Sequence, residues 1–135
     1  MYAAALVAVV PALWLITLVT PAQFALRWPG TQVFVMAVLV LPWLEEIVFR
    51  LGVHDWLRTR SRARWGALSA ANLLTAALFA GAHLLAHPPA WALATFCPAL
   101  VFGVLWERHA RLWSPVSVHA FYNLVYFCCL GLHSA

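Results

Sequence analysis

Thr31 to Val53 reads TQVFVMAVLVLPWLEEIVFRLGV, an apolar run that carries two carboxylates and a guanidinium near its far end. A bilayer-crossing helix needs about 20 consecutive apolar residues. This stretch supplies them, yet it holds Glu45, Glu46 and Arg50, and an ionisable group at such a position costs about 2.5 to 3.5 kcal/mol on insertion scales. Charges kept at that cost mark a functional site by default. Glu46 and Arg50 are four residues apart, so they share a helical face and can pair, whereas Glu45 is turned about 100° away. Two carboxylates against one cation leave one over, and a desolvated carboxylate beside a like charge is placed as a neutral-pH general base must be. The plainer reading is a snorkelling charge cluster at a helix end, but two adjacent acids are an expensive way to end a helix. Pro42 predicts a kink within the run.

The rest of the chain is built the same way. Of 135 residues, 65% are hydrophobic and 9% are charged, against about 25% charged in an average soluble domain, which excludes an ordinary water-facing globule. Around the run lie four more apolar stretches: Tyr2 to Thr20, Ala67 to Ala86, Ala90 to Trp106 and Pro115 to Leu132. At about 20 residues each, five crossings would use about 100 residues, leaving too little for a second folded domain. The expectation is an all-α polytopic transmembrane helical bundle of about five spans, a single domain over 1–135. Tyr2 to Thr20 has no basic residue before Arg27 to form the charged start of a signal peptide, so it reads as a retained span. All eight basic residues are Arg, and a formal charge of +4 is too thinly spread to suggest nucleic-acid binding. Cys97, Cys128 and Cys129 lie within apolar runs without CxxC spacing, and read as small packing hydrophobes.

Arginine placement predicts orientation. The connectors after the second and fourth spans (Leu57 to Arg64 and Glu107 to Arg111) hold four and two Arg, while those after the first and third hold one and none. In a five-span chain the two rich connectors share a face, expected to be cytoplasmic, with the N-terminus on the same side. Trp28, Trp56, Trp65, Trp106 and Trp113 fall near expected span ends and read as interfacial anchors, Trp14 and Trp43 as packing residues. His54, His87, His109 and His133, with Asp55, read as solvated groups at membrane edges.

Two further spans carry polar faces. Phe79 and His83 are four apart in the third, and His119 and Asn123 are four apart in the fifth, each pair on one helical face. A lone intramembrane His is often a hydrogen-bonded packing residue. Three spans with polar faces, however, are all satisfied only by turning toward one interior site. Glu with His polarises a water, and His with Asn donates to a developing oxyanion; these are the parts of a hydrolase without a nucleophilic Ser or Cys. Glu45, His83 and His119 would also make a His₂Glu zinc set, but HExxH is missing and no cofactor or metal is expected. A second class stays open: a non-catalytic membrane immunity or assembly factor that keeps the cluster as interhelical glue. A proton-coupled carrier would need repeats or broken helices, and the sequence has neither feature.

The three motifs, in order, resemble the CPBP family of intramembrane proteases, named for CAAX proteases and bacteriocin processing. Glu45-Glu46-Ile47-Val48-Phe49-Arg50 is similar to its EExxxR box, Phe79 to His83 to its FxxxH box, and His119 to Asn123 to its HxxxN box. The resemblance covers about Leu41 to Tyr126 and implies a glutamate-dependent peptidase acting on a membrane-associated protein or peptide. It implies that Glu45 activates the attacking water with His83, that His119 and Asn123 stabilise the oxyanion, that Glu46 and Arg50 support the site and that Phe79 shapes it. The Gly that commonly follows the motif Arg comes one place late, at Gly52. The short chain resembles the compact proteases of bacterial C-terminal sorting systems, such as the JDVT-CTERM type, which implies a bacterial inner-membrane location and processing of a C-terminal sorting or CAAX-like signal. One difficulty accompanies this reading. Counted along each helix from the cytoplasmic face, Glu45 and His119 come out about 9 to 12 Å deep and His83 about 25 Å, unless Ala63 to Asn72 lies along the interface and the third crossing starts later.

Overall fold

The computed structural model describes residues 2–10, 17 and 28–129. Within them the chain is an all-α membrane protein with one two-residue-per-strand hairpin. Helix α1 covers Tyr2–Val7; the expected first span beyond Val10, with Trp14 and Arg27, lies outside the described residues apart from Thr17, as do His133 and the end of the expected fifth span. Helix α2 covers Thr31–Arg58, 28 residues. The hairpin pairs β1 (Arg64–Trp65) with β2 (Leu68–Ser69), Arg64 opposite Ser69 and Trp65 opposite Leu68, and Gly66 takes the φ of +62° that its tight turn requires. Then follow α3 (Ala70–His83), α4 (Pro89–Ala94), α5 (Phe96–His109) and α6 (Trp113–Cys129).

Two helical stretches among the described residues are long and apolar enough to cross a membrane: α2, and Pro89–His109, which joins α4 to α5. Helix α3 is apolar but only 14 residues long, about 21 Å against a hydrocarbon core of about 30 Å. Along α2, Met36, Leu39, Trp43, Leu44, Ile47, Val48 and Leu51 are exposed, an apolar surface of the kind a membrane helix turns to lipid. Trp43 therefore belongs to the outer surface and is not the packing residue that the sequence suggests.

Several expected boundaries move. Helix α2 runs past Val53 to Arg58, where buried His54 bonds to Glu107 and half-buried Asp55 accepts from Trp106. The third helix starts at Ala70, after the hairpin, with Ser69 as its N-cap accepting from the Asn72 N–H at 2.9 Å. Pro42 does not simply kink α2. The helix continues through it, with π-helical turns over Phe34–Val40 and Ile47–His54 flanking an α-helical segment, Leu41–Glu46. Widened turns of this kind are rare and concentrate at functional sites.

Helix α5 sits centrally, packed on α3 on one side and α6 on the other, with α2 against α3 and α6. One apolar cluster joins α1, α5 and α6 through Ala5, Val9, Phe102, Leu105, Val118 and Tyr122; a second joins α3 and α5 through Ala76, Phe79 and Ala99, with Phe49 of α2 against it. Helices α3 and α5 approach closely at Gly103, where a Cβ would fall 1.8 Å from Asn72 Oδ1.

Candidate active site

The three sequence motifs meet. Glu45, Phe79, His83, His119 and Asn123 line one cavity of about 180 Å³ between α2, α3 and α6, open on one side. A single water needs only about 15 Å³ of such space, so the cavity admits water and part of a substrate.

Behind His119, outside the cavity lining, lies a fully buried ion pair. Arg50 Nε donates to Glu46 Oε2 at 2.7 Å, with both side chains 0% exposed, and Arg50 Nη2 donates to the Ala99 carbonyl of α5 at 3.3 Å. The i,i+4 spacing that suggested this pair is what makes it. Glu46 uses its other oxygen to hold His119: Oε1 accepts from Nδ1 at 3.0 Å. That bond aims His119 Nε2 toward Glu45, whose Oε2 lies 3.5 Å away. Glu45, turned off the face of Glu46, is 27% exposed and opens onto the cavity. The adjacent acids thus separate into one anchored carboxylate and one accessible one.

His83 is oriented by its own helix. Its Nδ1 donates to the Phe79 carbonyl at 2.9 Å, which leaves Nε2 without the hydrogen and able to accept. Phe79 stands between the two imidazoles, with ring centroids 4.5 Å from His83 and 5.9 Å from His119. Asn123 Nδ2 donates to the Ala37 carbonyl of α2 at 2.7 Å, leaving its second amide hydrogen free of that bond.

With the corrected helix ends the counts for Glu45 and His83 agree, while His119 lies only about 9 Å along α6 from Trp113 although it borders the same cavity. Counted from Arg58, Glu45 lies about 20 Å along α2; counted from Ala70, His83 lies about 20 Å along α3. The hairpin takes the place expected of an interfacial segment, and the longer α2 together with the later start of α3 brings the two counts level.

The cavity also uses residues that sequence reasoning passes over. Phe102 of α5 stacks on His119 at 4.6 Å and 19°. His87 lies tilted against Trp91, ring centroids 4.1 Å apart, and stacks with His83 at 5.9 Å, and Trp91 Nε1 donates to Tyr126 Oη at 2.9 Å; His87, Trp91 and Tyr126 line the cavity. The four-residue repeat His83, His87, Trp91 is the one signal in the sequence that points to this wall. His87 is therefore part of the cavity rather than a solvated edge group. Among the described residues no three His, Cys, Asp or Glu side chains form a metal-holding group, so the His₂Glu alternative gains no support from the arrangement.

A second polar cluster lies at the Arg-rich end. Glu107 accepts from His54 Nε2 at 3.0 Å, from Arg64 Nη1 at 2.8 Å and from the Ser69 hydroxyl, while Trp106 Nε1 donates to Asp55 at 2.9 Å. His54 is fully buried and Trp106 nearly so, which corrects the edge and anchor readings of both. The cluster clasps α2, the hairpin and α5, and it brings the two Arg-rich connectors to the same end of the bundle.

A family profile described as Type II CAAX prenyl endopeptidase Rce1-like matches residues 26–125. No curated protein and no solved structure matches the chain.

Proposed function

Since this chain belongs to the type II CAAX prenyl endopeptidase Rce1-like family, whose activity is intramembrane proteolysis, we propose that it hydrolyses its substrate's peptide bond with a water activated by Glu45 and His83. The observation that carries the reading is the gathering of Glu45, His83, His119 and Asn123 around one cavity. Glue between helices would need no cavity, which favours the enzyme over a non-catalytic partner.

The steps follow from the donor and acceptor pattern. A water in the cavity donates one hydrogen to the Glu45 carboxylate and the other to His83 Nε2, which points its lone pair at the scissile carbonyl. As the water oxygen bonds to that carbon, Glu45 takes the proton and negative charge moves to the carbonyl oxygen. In this step His119 carries a proton on both ring nitrogens: Nδ1–H is held by Glu46 and Nε2–H, which faces Glu45 before the attack, donates to the oxyanion, with the second Asn123 amide hydrogen donating beside it. The tetrahedral intermediate collapses with cleavage of the C–N bond, and the proton on Glu45 passes to the leaving amine. Glu46 and Arg50 act by positioning: a buried, neutralised pair fixes the imidazole ring without presenting free charge to the substrate.

In the membrane, we place the Arg-rich end in the cytoplasm of a five-span chain, consistent with the arginine distribution. The substrate is a membrane-associated protein or peptide that enters through the open side and is cut at a C-terminal sorting or CAAX-like signal. Co-expression with candidate tagged membrane proteins tests this, reading the processed C-terminus by mass spectrometry. A new terminus is expected with the natural chain and not with His83→Ala or His119→Ala; processing that persists in both variants would exclude the mechanism.

A further inference from the structure

The position of Asn123 depends on a residue that no motif includes. Around Pro42, α2 uses the wider hydrogen-bond register: the Leu41 N–H bonds to the Met36 carbonyl, five residues back. In that register the next donor, residue 42, would bond to the Ala37 carbonyl. Residue 42 is a proline and has no N–H to give. The Ala37 carbonyl is instead taken by Asn123 Nδ2 at 2.7 Å, across from α6. Pro42 is fully buried, and Ala37 borders the cavity.

We infer that Pro42 is a positioning residue for the reaction: by withholding a backbone hydrogen, it reserves the Ala37 carbonyl for the Asn123 carboxamide and so aims the second amide hydrogen into the cavity. The inference rests on the oxyanion role given to Asn123 above. It explains why a helix that carries the reacting carboxylate tolerates a proline three residues before it, at a position where proline ordinarily destabilises a helix.

A merely structural proline and a positioning one differ in sign. Pro42→Ala restores an N–H that competes for the Ala37 carbonyl and removes a residue unfavourable to helices. The thermal midpoint of the purified chain in detergent should therefore stay level or rise, while kcat falls at least tenfold with KM unchanged. The assay uses a fluorogenic farnesylated CAAX peptide, or the tagged peptide identified by co-expression. Asn123→Ala should lower kcat by about 10² to 10³, the usual loss on removing one oxyanion donor. In that background Pro42→Ala should cost nothing further. Equal losses from Pro42→Ala in both backgrounds, or a fall in kcat matched by a fall in thermal midpoint, would overturn the inference and leave the role of Asn123 standing. Wild-type turnover in Asn123→Ala would overturn the oxyanion assignment itself and the inference with it.

Discussion

Replacing Arg50 by methionine removes the guanidinium from a site that water does not reach. Glu46 and Arg50 are both 0% exposed, so the carboxylate left behind keeps only the His119 bond at 3.0 Å, and the α2 to α5 tie through the Ala99 carbonyl is lost. Breaking a buried pair by deleting one partner costs about 3 to 5 kcal/mol, mostly from the charge left unpaired. Glu46→Gln should cost a similar amount, because it strands the guanidinium. The double variant Arg50→Met with Glu46→Gln removes both charges, and exchanging a buried pair for neutral groups is often close to neutral. The singles together then exceed the double by about 3 kcal/mol or more. Reversible unfolding in mixed micelles, monitored by tryptophan fluorescence, measures all four corners of the cycle. A coupling below about 0.5 kcal/mol would refute the reasoning, since that is the strength of an exposed surface pair.

Three further outcomes follow from other parts of the fold. Gly103→Ala places a Cβ 1.8 Å from Asn72 Oδ1 and should destabilise by about 1 to 3 kcal/mol, whereas Gly81→Ala meets nothing within 4 Å and should be neutral or stabilising in the same unfolding assay. Glu107→Ala strips the partner from His54, Arg64 and Ser69 at once; a loss of about 1 to 3 kcal/mol is expected, with hydrogen exchange rising across Arg64 to Asn72. Burial holds the His87 imidazole below its ordinary value of 6.5, with the His83 ring adding to the effect. The folded state then favours neutral His87, so its contribution is indifferent to pH above about 6.5 and becomes destabilising as pH falls below it; the thermal midpoint should drop less between pH 7 and 5 in His87→Phe than in the natural chain.

Much of the site is legible in the sequence because charge in an apolar helix has few permitted explanations. Glu45, Glu46 and Arg50 announce themselves by cost, and the i,i+4 rule separates the pair from the surplus acid before any coordinates exist. His83, His119 and Asn123 are harder to assign singly, and only the requirement that three polar faces share one interior draws them together. Helix ends are where the reading slips. His54 and Asp55 look like the water-facing close of a span, and the sequence has no local mark that Glu107 and Trp106, some fifty residues later, bond to them. Ser69 likewise looks like part of an apolar run, although it caps α3 and bonds to Glu107. These are long-range satisfactions of polar groups, which a local pattern does not contain. The bond from the Asn123 amide of α6 to the Ala37 carbonyl of α2 belongs to the same class.

In the proposed mechanism Glu45 is the group that takes the proton from the attacking water. The most direct measurement is the single-turnover cleavage rate of purified Glu45→Gln beside the natural chain, in the same micelles, with matched thermal midpoints showing that both are folded. The isosteric amide keeps the cavity's shape and loses the base, so the rate should fall by at least about 10³, within the range lost with a general base. A folded Glu45→Gln that cleaves within a few-fold of the natural chain would contradict the claim.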